Sequence, residues 1–291
     1  MSVLRAFVTG IKRATTEFRM VLLLYVINLL AALGLALAFR SALESGLGTS
    51  LARSELMDGI SYPVLQEFLG QHMEEVSVVF RQMVWLTLLY MLVNTVLAGG
   101  ILTTIRDKDV RFSLREFFTG CGTYFFRFLR LFFLFGILLI VLASVWAIVL
   151  GVLFDAFVTD GTSEVTWIIA FVIMMVLFLL PIMILILVAD YAKISAVLSN
   201  THSMLKTAWR STKFVFRHFF QVIGLQFLML LVPIALFAIY LWLDLSIGMT
   251  SIGTIWLMLF FQQLFILTRV WSRVFFFSGE LELYEGLQIS Q

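Results

Sequence analysis

The sequence predicts an all-α, polytopic integral membrane protein. It has six transmembrane helices as three hairpins, each preceded by an amphipathic interfacial helix, with both termini cytoplasmic. Three observations predict this. Hydrophobic residues fill 62% of the 291 positions and charged residues only 13%, with a mean hydropathy of +1.04; a soluble domain keeps roughly a quarter of its residues charged. Six apolar runs approach or exceed the length needed to cross a bilayer. Lysine and arginine alternate strictly between the connecting segments.

Taken in order, segment 1–19 places Leu4, Phe7, Val8, Ile11 and Phe18 at helical spacing, with Arg5, Thr9, Lys12, Thr16 and Arg19 opposite. That pattern suits a helix lying in the headgroup region. Span 20–39 is about twice as long as the apolar core of a signal peptide, so a cleavable leader is not expected. The outer loop, 41–80, carries Val64, Leu65, Phe68, Leu69, Met73 and Val76 behind Pro63, which predicts an amphipathic, acidic cap. Spans 83–105, 131–154, 165–189, 219–243 and 252–277 follow, a hydrocarbon core of about 30 Å needing roughly 20 residues. The last is apolar to Thr268 and is expected to reach Phe277, with Arg269 and Arg273 extending to the headgroups. Pro181 and Pro233 fall inside spans, where they bend a helix rather than end it.

Two further interfacial helices are expected at 113–130 and 203–217. In the first, "LREFFTGCGTYFFRFLRLFF", apolar residues at 114, 117, 118, 121, 125 and 128 form one stripe, and Arg115, Thr119, Thr123, Arg127 and Arg130 the other. In the second, Met204, Leu205, Ala208, Trp209, Val215 and Phe216 oppose Lys206, Arg210, Lys213 and Arg217. Each copy ends on a Phe-Arg pair, and "RAFVTG" at Arg5–Gly10 echoes "REFFTG" at Arg115–Gly120. The chain reads as three copies of interfacial helix, span, outer turn, span.

Orientation follows from the cations. Of the 20 lysines and arginines, only Arg40, Arg53 and Arg81 fall in or beside outer loops. The rest precede span one, lie between spans two and three or four and five, or follow span six.

With "AGGILTTIRDKDVRFSLREFF" leaving span two and Gly99-Gly100 within it, this layout resembles bacterial multipass proteins related to the membrane domain of glycerophosphoryl diester phosphodiesterases. The resemblance implies an all-helical membrane domain of undefined activity. The soluble catalytic domain of those phosphodiesterases has no counterpart here, so their activity does not transfer.

Chemistry-bearing patterns are scarce. His72, His202 and His218 lie on different sides of the membrane with no His-Glu-x-x-His helix, and His202-Ser203 in sequence does not make a nucleophile–base pair. One cysteine, Cys121, excludes an internal disulfide and reads as a packing residue or as a reactive or lipidated thiol. Ionisable residues inside spans are rare, and such residues are the usual markers of ion pathways. Asp190 and Lys193, three apart, can pair as a helix cap or serve as a switch. Asn28, Asn94, Ser144, Gln226, Gln262 and Gln263 suit interhelical hydrogen bonds, with Asn94, Gln226 and Gln262 the candidates for a polar cavity.

The expectation is therefore a non-enzymatic inner-membrane scaffold or accessory subunit in an envelope- or lipid-related process, without cofactor or metal. Arg115, Arg127, Arg130, Lys206, Arg210, Lys213 and Arg217 would contact anionic lipids or a membrane or cytoplasmic protein partner. The basic loops are accounted for by orientation, so no nucleic acid is expected. The alternative is a permease component working with a separate energising subunit.

Overall fold

The computed structural model describes residues 3–47, 73–107, 112–157, 163–199, 201, 203–247 and 251–288. Among them the regular structure is entirely helical: α1 (Val3–Thr16), α2 (Phe18–Leu47), α3 (Met73–Arg106), α4 (Leu114–Phe157), α5 (Glu164–Ser199), α6 (Met204–Arg217), α7 (Phe219–Ser246) and α8 (Ile252–Gln288). Five of these helices are long and apolar enough to cross a membrane. A sixth qualifies if Val3–Thr16 and Phe18–Gly34 are taken as one bent span. The chain is thus an all-helical, multipass integral membrane protein.

Two compact units are present: Met1–Val21 with Thr95–Gln291, and Leu22–Asn94. In the smaller unit, residues 41–47 and 73–80, expected in the outer loop, are helical parts of α2 and α3. The cap expected at Val64 to Leu69 lies outside the described residues.

In the larger unit, α4 pairs with α5 and α7 with α8. Phe154 meets the Trp167 ring edge-on at 5.0 Å, and Trp146 Nε1 donates to the Leu177 carbonyl at 2.8 Å. Phe265 stacks on Tyr240 at 4.8 Å. The expected second and third hairpins would pair the same helices. α5 continues through Pro181 and α7 through Pro233.

The helices exceed the membrane. The 44 residues of α4 and 37 of α8 extend about 66 and 55 Å at 1.5 Å per residue, against a hydrocarbon core of about 30 Å. Their most apolar stretches are only 6% buried, as surfaces facing lipid should be. The core lies instead at the basic ends of the helices. Phe117, Phe128, Tyr191, Phe275 and Tyr284 are all fully enclosed there.

Segment 113–130 differs from expectation. It forms no separate helix but continues into span three as α4, whereas α1 stops before Glu17 and α6 at His218. Nothing in "GCGTYFFRFLR" breaks a helix as firmly as proline would, and the Phe117 and Tyr124 anchors lie on the same face as Phe128 and Leu131. That shared buried face favours one continuous rod.

Candidate functional site: the basic end of the helices

Three amphipathic segments build this end, and each packs through small residues on the terminus of a span. α1 lies on α8, where a Cβ added to Gly10 would stand 3.1 Å from the Gly279 amide nitrogen. The start of α4 lies on the end of α3, where a Cβ on Gly100 would stand 2.7 Å from both Cys121 Sγ and the Phe117 ring. α6 lies on the end of α5, with Thr207, Ala208 and Ser211 buried on one side and Ala192, Ser195 and Ala196 on the other. Close approach of helix backbones requires such residues. The repeat in the sequence has its physical reason here. Five residues after Arg5, Arg115 and Lys206 come Gly10, Gly120 and Ser211, each buried at a seam.

Each segment has three faces rather than the two that periodicity suggests. On α6 the expected apolar stripe divides. Met204, Ala208 and Val215 turn to the protein with Phe214, while Leu205, Trp209 and Phe216 are exposed, Trp209 to 75%. Beside that exposed apolar stripe runs the basic one, Lys206, Arg210, Lys213 and Arg217, all exposed. The same division occurs in α4, with Phe117 and Cys121 inside and Leu114 and Phe118 outside, and in α1, with Ala6 and Ala14 inside and Leu4 and Val8 outside. A helix exposing adjacent apolar and basic stripes fits the boundary between acyl chains and headgroups.

Of the residues singled out, Leu205, Lys206, Trp209, Arg210 and Lys213 come together around an open groove of about 540 Å³. Arg115 stands apart, in a cleft of about 530 Å³ with Thr103, Thr104, Asp107, Glu116 and Thr123. Arg127 is half-buried over the Tyr124 ring at 5.4 Å, and Arg130 is exposed. Of the polar-cavity residues, Gln226 and Gln262 belong to the larger unit and Asn94 to the smaller. Asn94 Nδ2 donates to the Tyr90 carbonyl at 2.9 Å within its own helix. Met229 packs on Gly279 and Tyr240 on Phe265. Gln226 and Gln262 therefore lie roughly 25 Å apart along the α7–α8 pair, counting 1.5 Å per residue.

Helix termini are tied together by side chains. The Val197 carbonyl, in the last turn of α5, accepts from Arg106 Nη1 and from Tyr124 Oη, each at 3.4 Å. Such terminal carbonyls lack partners inside their own helix. Lys193 Nζ pairs with Asp190 Oδ1 at 2.7 Å, as the spacing predicted, and lies 5.9 Å from the Phe277 ring centroid. Arg13 has its guanidinium enclosed between α1 and α8. Burial pulls it below the ordinary arginine range, while Glu282, Glu285 and Glu17 act the other way. Burial likewise pushes Glu17, at the α1–α2 break, above the usual carboxylate range, opposed by Arg13. Cys121 is a buried, free thiol, raised by burial and partly offset by backbone hydrogen bonds and Arg273. It is a packing residue.

Periodicity overlooks one group. Glu280 is 2% exposed, on the part of α8 beyond span 252–277, with Oε2 lacking a hydrogen-bond partner among the described residues. Burial and then the Asp190 carboxylate drive it well above the usual carboxylate range, with Lys193 acting against them. The signal was present in "FFFSGELELYEGLQ": Glu280 shares a helical face with Phe276, Phe277, Tyr284 and Leu287, whereas Glu282 and Glu285 do not. It stood after the last apolar run, where acids are unremarkable.

Comparison of the chain with protein families, with curated proteins and with solved structures gave no match. Among the described residues no group of three or more histidine, cysteine or acidic side chains is placed to hold a metal ion.

Proposed function

We propose that this protein is a non-enzymatic scaffold or accessory subunit of a bacterial cytoplasmic membrane, with both termini inside, serving an envelope- or lipid-related process. In layout it belongs with the multipass membrane domains it resembles. The observation that carries the proposal is the exposed surface of α6. Its Leu205, Trp209 and Phe216 stripe enters the lipid, and its Lys206, Arg210 and Lys213 stripe remains at the headgroup level facing water. Anionic lipid holds this face in place, each cation near such a surface contributing about 1 kcal/mol. An acidic segment of a partner docks across the same cations. The second reading, a permease component worked by a separate energising subunit, draws its support from Glu280, an acid enclosed among helices.

The test is affinity purification in mild detergent of the wild type and of Lys206→Glu, Arg210→Glu, Lys213→Glu combined. The triple variant should insert normally and lose a co-purifying protein. An unchanged set of bound proteins, with insertion intact, would contradict the docking role.

A further inference from the structure

Glu280 lies where four other helices, α1, α5, α6 and α7, meet the end of α8. Its neighbour Gly279 is closed off by Gly10 of α1 and by Met229 of α7, whose Sδ would lie 2.6 Å from an added Cβ. One turn on, Tyr284 lies 4.6 Å from Phe214 of α6 and 6.2 Å from Tyr191 of α5, ring to ring. The enclosure is polar as well as aromatic: Tyr191 Oη is buried and, like Glu280 Oε2, without a hydrogen-bond partner among the described residues. The same holds for Ser195 Oγ and Ser211 Oγ at the α5–α6 seam.

The charges facing this position are few. From α5 come Asp190 and Lys193, already paired with each other, and the Tyr191 hydroxyl. α1 contributes Arg13, which interacts with Glu282 and Glu285. The inward residues of α6 (Thr207, Ser211, Phe214) are neutral, and His218 at its end lies against the Phe214 ring. α7 brings Gln221 and Gln226, both uncharged. An ionised carboxylate here would be enclosed without a cation of its own, an arrangement costing several kcal/mol.

We propose that Glu280 is a proton-binding site, occupied at neutral pH, and that Asp190 and Lys193 are its route to water. When the site empties, the Glu280 O–H bond breaks and the proton passes to the half-exposed Asp190 carboxylate, then to solvent. Lys193 leaves Asp190 and neutralises the Glu280 carboxylate. The net change is one proton released and one ion pair exchanged for another, at the point where α5 and α8 meet. The acid–lysine exchange alters the contact between those two helices, so proton occupancy and the packing of the basic end are linked. Opposed effects are expected from the two partners, because Asp190 favours the neutral acid and Lys193 the ionised one.

Infrared spectroscopy of the purified full chain in lipid bilayers tests this. At pH 7 the wild type should show the carbonyl band of a protonated carboxylic acid that is missing from Glu280→Gln, which mimics the neutral form. Identical wild-type and Glu280→Gln spectra in that region would overturn the proposal. Two half-exposed substitutions provide a reading if Glu280→Gln fails to fold. Asp190→Asn should lower the pH at which the band disappears and Lys193→Gln should raise it. A band that disappears at the same pH in both, or at the pH of an ordinary carboxylate, would overturn it equally.

Discussion

The seam between α3 and α4 offers the sharpest quantitative test, because the protein's single cysteine lies inside it. Gly100→Ala would place a Cβ 2.7 Å from Cys121 Sγ and 2.7 Å from Cε2 of Phe117. That carbon pair would sit roughly 0.8 Å inside the optimal separation. Phe117 is fully buried and cannot swing into open space. With two buried neighbours this close, the upper part of the usual overpacking range applies, about 2–3 kcal/mol, and the better helix propensity of alanine returns about 1 kcal/mol. A net loss near 1–2 kcal/mol raises the population of opened seam by roughly 5–30-fold. Cys121 reports it directly: burial keeps the thiol enclosed and protonated, so a small maleimide reacts only when the seam opens. Protein in nanodiscs should therefore label at Cys121 about 5–30-fold faster in Gly100→Ala than in wild type. Gly136→Ala, where nothing lies within 4 Å of the added carbon, should label at the wild-type rate. Equal rates for Gly100→Ala and wild type would refute the reasoning that small residues set the helix spacing here.

Other outcomes follow from the same geometry. Ser211→Ala removes a fully buried hydroxyl without a hydrogen-bond partner, so thermal unfolding should show no loss and a gain of up to about 1 kcal/mol; a clear loss would contradict the packing described for α6. Trp209→Phe should remove tryptophan emission that brominated acyl chains quench, since the ring is exposed on the lipid stripe; loss of unquenched emission alone would place α6 away from the bilayer. Glu280 has a folded-state value raised by burial, so its ionisation cost grows as pH rises above the unfolded value of about 4.3, by up to about 1.4 kcal/mol per pH unit, until the raised value is reached. The stability advantage of Glu280→Gln should be small near pH 4 and widen toward neutrality, and a gap independent of pH would contradict burial of an ionisable acid.

Hydropathy revealed the long apolar helices, because lipid leaves such helices as the simplest way to satisfy the backbone. The amphipathic segments were legible for the same reason, each carrying a 3.6-residue pattern. What that pattern could not show was which apolar residues meet protein and which meet lipid. Phe117 and Phe118 are chemically identical, yet one is enclosed and the other exposed. Only the positions of Gly100 and Gly120 decide between them. "R-x-F-x-T-G" was visible as an echo, but its glycine gained meaning once Gly10 met Gly279 and Gly120 met Gly99. Gln226 and Gln262 looked alike as mid-span amides, but antiparallel pairing sets them at different depths. Glu280 escaped notice because its burial arises from four other helices converging on the end of α8, which no local pattern records.

In the proposed orientation the ends bearing the basic stripes, α1, the start of α4 and α6, lie together on the cytoplasmic side. In a Cys121→Ser background, cysteines introduced singly at Ser203, before α6, and at Ser251, before α8, read this with an impermeant thiol reagent on intact and opened cells. The Ser251 position should label from outside and the Ser203 position only after the membrane is opened. Labelling of both from the same side would contradict it.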